Sequence, residues 1–241
     1  MKFSSRQVNA EIKRKVWPAL RAAGFGKTNA RNAWRNATDT IAVVNFQSFN
    51  SYHAAGLGCT SFSFCVNLGV YYLCVHKTPW ASKWPDRYGV PPIEPAEYCC
   101  HARLHLEKLL FQPEFPRLDI WYVRLDGSNL DAVIDDARRV ILDVGLPWLE
   151  KFTSLPYALA EYQRPHEYNR EDDVCALGTL NGAEEGSAIA LALKDFETAT
   201  ALWQSVVDSE YYTRFPDALE KARSILSLIG EEQVKAVKAI K

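Results

Sequence analysis

The stretch TSFSFCVNLGVYYLCV, residues 60–75, decides how this chain folds. Phe62, Phe64, Val66, Leu68, Val70 and Tyr72 recur at every second position, the repeat of a strand whose side chains alternate between two faces. The other face begins with Ser61, Ser63, Cys65, Asn67 and Gly69, so it is at least partly polar. A strand with one apolar face needs neighbours on both sides and a helical layer over that face.

Those neighbours are found outward in both directions. Upstream, Trp34-Arg35, a turn at Asn36-Ala37-Thr38-Asp39 and the β-type run over residues 40–47 read as a hairpin. Before it, Val8, Ile12, Val16 and Leu20 recur at a spacing of four, predicting an amphipathic helix over residues 5–23 that Pro18 kinks or divides. Downstream, residues 118–125 are apolar on both faces and read as a central strand. Leu130, Val133, Ile134, Ala137, Val140, Ile141 and Val144 form a helical stripe, with Ser128 as N-cap, Gly145 as stop and Pro147 restarting a second helix. The expectation is an α+β fold: an antiparallel or mixed sheet of about four or five strands with helices on one face.

Residues 166–173 are polar and read as a connector. Beyond them, Ile189, Leu193, Phe196, Thr200, Trp203 and Val207 mark one helix. Leu219, Ala222, Ile225, Leu226 and Ile229 mark another, ending at Gly230, with a short charged helix after it. The organisation read from the sequence is thus a core domain over residues 1–164 and an acidic helical extension, a packed hairpin, over 165–241. Charge follows the same division. Residues 1–35 hold nine Lys or Arg against Glu11, whereas residues 165–241 hold eight basic and fourteen acidic residues, a net of −6. The complementarity predicts that the extension docks beside the N-terminal helix.

With 48% apolar and 24% charged residues the composition is that of a globular chain, which excludes fibrous and disordered classes. The first seven residues are polar with no apolar segment behind them, and no apolar run reaches the ~18 residues of a membrane span, so cytoplasmic residence is the expectation. Six cysteines in 241 residues do not form a disulfide framework; Cys59, Cys65 and Cys74 read as small buried hydrophobes.

Four phrases in this order resemble a bacterial family known as domain of unknown function 4304: Ala22-Ala23-Gly24-Phe25 with Trp34-Arg35; Val43-Val44-Asn45-Phe46-Gln47-Ser48 with the 64–69 strand; Cys100-His101-Ala102-Arg103-Leu104-His105-Leu106; and Gly145-Leu146-Pro147-Trp148-Leu149-Glu150. The resemblance spans roughly residues 5–160. It departs at His105, where the family more usually carries an arginine, and in an extended proline-rich segment over 76–97. It supports the fold and carries over no catalytic residue.

Common enzyme signatures are missing. Gly26-Lys27-Thr28 ends like a phosphate-binding loop, but Arg21 stands where that motif needs its first glycine. Chemically able side chains concentrate at Cys99-Cys100-His101-Ala102-Arg103-Leu104-His105. On a helix His101 and His105 would share a face as zinc ligands; on a strand His101, Arg103 and His105 would form a cationic row for an anion or an acidic partner. The sheet context and the resemblance favour the strand, and no cofactor is expected. Trp80 and Trp84 on the proline-rich loop are candidate anchors for another protein, or else fold back as a cap on the sheet. The basic N-terminal segment could meet phosphates, yet internal neutralisation is the simpler account, so nucleic acid is not the expected partner. The expected function is a non-enzymatic, accessory or immunity-type protein acting by protein contact. The alternative is a hydrolytic or nucleic-acid-processing enzyme centred on His101, Arg103 and His105.

Overall fold

In the computed structural model, which describes residues 3–83, 90–164 and 180–240, the deciding stretch forms one of five strands. They are β1 (Lys27–Thr28), β2 (Asn32–Asn36), β3 (Thr40–Ser48), β4 (Phe64–Tyr72) and β5 (Ala102–His105), arranged as an antiparallel sheet in the order β1-β2-β3-β4-β5. The chain is therefore α+β, and its sheet follows the chain order. The turn at residues 37–39 closes the expected hairpin, pairing Asn32 with Asn45 and Trp34 with Val43. On β4 the side chains of Phe64, Val66, Leu68, Val70 and Tyr72 are fully enclosed.

The first helix begins at Ser4, whose backbone N–H donates to Gln7 Oε1 at 2.8 Å. It comprises α1 (Ser5–Glu11), a π turn (Ile12–Val16) and α2 (Trp17–Ala22). Pro18 has no N–H to give, and the wider turn ends just before it with Trp17 N–H reaching back to Ile12 O. After α3 (Ser51–Leu57), the helix α4 (Leu130–Val140) passes through a second π turn (Ile141–Gly145) into α5 (Leu146–Phe152). The expected stop at Gly145 is corrected. Leu146 N–H bonds Ile141 O, which shifts the ladder ahead of Pro147 as ahead of Pro18, and the helix runs on. Gly145 matters for space instead: a Cβ there would stand 3.1 Å from Leu68 Cδ1 and 3.3 Å from Leu106 Cδ1. The N-cap is Asn129, not Ser128.

Val8, Ile12 and Leu20 of the first helix, and Val133, Ile134 and Ala137 of α4, are fully buried. Trp17 meets Phe46 of β3 edge to face, with ring centroids 5.5 Å apart, which joins this helical layer to the apolar face of the sheet.

Residues 118–125 do not add the expected central strand. They give only an isolated bridge, Phe64 to Trp121, although Ile120, Trp121 and Val123 are buried. The reason is that side chains take the place of a ladder. Thr60 Oγ1 donates to Val123 O (2.6 Å), Val123 N–H donates to Ser63 Oγ (3.1 Å), and the Gln112 amide both donates to Tyr122 O (2.7 Å) and accepts from Tyr122 N–H (3.1 Å).

By internal packing the described chain divides into two units, residues 1–71 with 94–150 and residues 72–93 with 151–241. The second unit is helical: a 3₁₀ turn (Leu73–Lys77), α6 (Leu155–Tyr162), α7 (Leu180–Ala192), α8 (Phe196–Val207) and α9 (Pro216–Ile240). The single helix expected over residues 189–207 is two, because Lys194 adopts a left-handed φ of 61° and Asp195 accepts Thr198 N–H as a new cap. Conversely, α9 runs through Gly230 without ending, so the described residues of the extension form three long helices where a hairpin was expected. The connector expected at 166–173 lies outside the described residues. No helix among the described residues is long and apolar enough to cross a membrane.

Candidate functional site

The register of the sheet decides which side chains share its second face. Asn32 pairs with Asn45, Asn67 with His105 and Gly69 with Arg103, so Asn32, Asn45, Asn67, Arg103 and His105 all lie on the face opposite the enclosed row. Residues 98–106 were open to two readings, helix or strand. Residues 102–105 form strand β5, and the helical placement of His101 and His105 on which a zinc pair depends does not occur. Among the described residues no group of three or more His, Cys, Asp or Glu could hold a metal ion.

One end of this face is closed by residues 95–100. Trp34 Nε1–H donates to Pro95 O at 2.9 Å, and Gly69 makes room for Cys100, whose Sγ would lie 2.6 Å from a Cβ at that position. Glu97, 5% exposed, accepts from Arg103 Nε at 2.7 Å. The Arg103 charge is thus met inside the molecule. His101 packs its ring on Tyr71, with centroids 4.4 Å apart.

The rest of the face is a row of amides that ends on a histidine. Asn45 Nδ2 donates to Asn32 Oδ1 (2.7 Å). Asn67 Nδ2 donates to Gln47 Oε1 (2.9 Å) and, at 3.4 Å, to Asn45 Oδ1; Asn67 Oδ1 lies 2.7 Å from His105 Nδ1. Asn67 is fully buried, whereas Gln47 and His105 are exposed and Asn32 and Asn45 half-buried. A buried amide is tolerated only when its donors and acceptors are met, which explains why neighbouring strands carry polar residues at matching register. Beside the row, Arg117 grips Asp119 with Nε–Oδ1 at 3.0 Å and Nη2–Oδ2 at 2.6 Å, and this holds the Asp119 carboxyl below its ordinary range.

Cys65 shares this face two residues before Asn67, so cysteine, asparagine and histidine occur together as they do in thiol hydrolases. The chemistry fails on ionisation. Burial, with Asp119 adding to it, pushes the Cys65 thiol up to about 12, and the thiolate is the nucleophile.

A second feature borders β5. The loop after it is fixed by Lys108, whose ammonium donates to Gln112 Oε1 (3.0 Å) and Phe115 O (2.8 Å), and by buried Asp136, which accepts from Leu109 N–H (3.1 Å) and Trp121 Nε1–H (3.0 Å). This pinned loop leaves Phe111 86% exposed and Leu109 62% exposed.

Of the residues singled out in the sequence, Arg103 and His105 lie on β5 and His101 immediately before it. Trp80 does not join them. It is fully buried in the helical unit, 6.1 Å from Trp203 edge to face, so it is a core residue and not a surface anchor. Trp84 lies outside the described residues. Sequence reasoning missed Asn32, Asn45 and Gln47. Their signal was the hairpin register about residues 37–39, which sets Asn32 opposite Asn45. It missed Phe111 because exposure of a loop residue leaves no periodic trace.

No curated protein and no solved structure is matched by the chain. The family model described as Domain of unknown function (DUF4304) matches residues 16–151, a span that contains the whole amide row and β5. Since that span is more than half of the 241 residues, the chain belongs to the DUF4304 family.

Proposed function

We propose that this is a non-enzymatic binding protein of the accessory or immunity type, acting in the cytoplasm by contact with another protein through the second face of the sheet and β5. The observation that carries this reading is the amide row itself. Asn32, Asn45 and Asn67 hold one another in fixed orientation, so the exposed groups of Gln47 and His105 are set before any partner arrives. Groups ordered in advance lose little entropy on binding. The adjoining loop adds an apolar anchor at Phe111, and aromatic side chains at the centre of an interface carry much of its energy. The enzyme reading finds less support, because Arg103 is engaged by Glu97 and the Cys65 thiol stays protonated at neutral pH.

The test is recovery of tagged full-length chain from its native cells, compared with the Gln47→Ala/His105→Ala and Phe111→Ala variants. A stoichiometric protein partner should accompany the wild type, and each variant should weaken it by about tenfold or more. A partner held equally by all three, or none, removes this surface from consideration.

A further inference from the structure

The direction of every hydrogen bond in the amide row is set from its far end. Asn29 Oδ1 accepts the backbone N–H groups of Arg31 (2.8 Å) and Asn32 (2.7 Å), so that atom can only be the oxygen. The same oxygen accepts from Asn32 Nδ2 at 3.3 Å, which turns Asn32 Oδ1 towards Asn45. Asn45 must then present Nδ2 to Asn32 and Oδ1 to Asn67. Reversing Asn67 would set two carbonyl oxygens face to face at 3.4 Å, so its Nδ2 faces Asn45 and its Oδ1 faces His105. An amide oxygen can only accept. The partner at 2.7 Å, His105 Nδ1, must carry a proton.

From this chain of constraints we infer that the His105 imidazole, in its neutral form, is held as its Nδ1–H tautomer, with Nε2 as the acceptor on the exposed side of β5, and that the group it takes is a hydrogen-bond donor, a hydroxyl or amide N–H of the partner protein. This deepens the binding reading above and rests on it for the identity of the partner as a protein. Which ring nitrogen is free is fixed by the bond that the other makes. Nε2 makes no hydrogen bond among the described residues, and His105 is exposed. A neutral imidazole with its lone pair outward accepts from a hydroxyl or an amide and repels the lone pairs of a carboxylate or phosphate. Arg103 does not reverse that preference, because its charge is offset by buried Glu97, which accepts its Nε–H. His105 is thus a specificity-determining residue, and Asn67 is its positioning residue.

The experiment is nitrogen-15 NMR of the His105 ring in the full chain, at a pH where the imidazole is neutral. The wild type should show a protonated Nδ1 and a free Nε2, and diethyl pyrocarbonate should modify Nε2. Asn67→Leu, which removes the acceptor, should give a mixture of tautomers, while Asn67→Asp, which keeps an acceptor there, should retain Nδ1–H and serves if the leucine variant does not fold. A wild-type ring protonated mainly on Nε2 overturns the tautomer assignment. Titration with inorganic phosphate and with acetate should leave the His105 ring signals unmoved; a saturable shift with either overturns the donor class in favour of an anion. These measurements use the protein alone, so their failure is distinguishable from failure to find a partner.

Discussion

At Lys108 a positive charge is enclosed, 4% exposed, against two uncharged acceptors, Gln112 Oε1 and Phe115 O. Burial pulls its pKa below the ordinary lysine value, against the opposing fields of Glu114, Asp119 and Asp136. Between the lowered folded value and the ordinary one, the unfolded chain binds more protons than the folded chain, so the stability contributed at this site rises with pH in that window. Lys108→Met should cost about 1–3 kcal/mol at neutral pH by stranding Phe115 O, while Gln112 Oε1 keeps the Tyr122 N–H. The gap between wild type and variant in urea titrations should then widen towards the upper end of the window; a gap that narrows contradicts the burial argument. Cysteine reactivity gives a second test at this scale. Cys99 is exposed, whereas burial raises the thiols of Cys65, to about 12, and of Cys100. Iodoacetamide at neutral pH should label Cys99 while Cys65 and Cys100 react only on unfolding, as peptide mass spectrometry would register. Little of this was legible in the sequence. Lys108 follows Glu107 in the chain as an ordinary surface lysine would, and Asn67 was visible only as one member of a partly polar strand face.

Elements were more legible where a periodic pattern met a single layer. The four-residue spacing of Val8, Ile12, Val16 and Leu20 is reproduced as one enclosed stripe, because a π turn absorbs Pro18 without rotating the face away. Residues 118–125 misled for the opposite reason: apolarity reports burial, and the hydroxyl and amide side chains that satisfy their backbone lie far off in sequence at Thr60, Ser63 and Gln112. The basic charge of the first helix was also visible; Arg14 pairs within that helix with Glu11, and Lys15 reaches α4. Lys15 Nζ lies 2.6 Å from Asp131 Oδ1 and 2.7 Å from Asp135 Oδ2, which raises the lysine pKa and lowers that of Asp131. The carboxylates are largely exposed, so the pair is worth little individually. A double-mutant cycle of Lys15→Met and Asp135→Asn should return a coupling of about 0.3–1 kcal/mol that shrinks at 1 M salt. A coupling near zero at low salt would mean that apolar packing alone joins these helices.

Across the whole molecule, the sequence presents residues 165–241 as an extension, yet the unit that holds them also contains residues 72–93 and 151–164. Composition changes along the chain, whereas a unit closes in space, and two separate passages of chain through one unit leave no compositional boundary. Tyr162 shows the dependence. Its hydroxyl donates to Glu185 Oε2 at 2.6 Å, and Gly186 brings α7 so near that an added Cβ would lie 3.1 Å from Tyr162 Cβ. Trp80 likewise relies on Trp203 of α8, and the 3₁₀ turn at Leu73–Lys77 packs on α7. Ending the chain after Arg164 would strip α7, α8 and α9 from these side chains. Uncovering an aromatic or large aliphatic group costs about 1.5–3 kcal/mol. With Trp80 and Tyr162 among those laid bare, the loss approaches the ~5–15 kcal/mol that holds a whole domain together. The truncated chain should therefore bind a hydrophobic dye, lose near-ultraviolet circular dichroism from its tryptophans and melt earlier than the full chain. Unchanged melting and no dye binding would mean that residues 72–93 and 151–164 keep their core without the three helices, and that those helices fold by themselves.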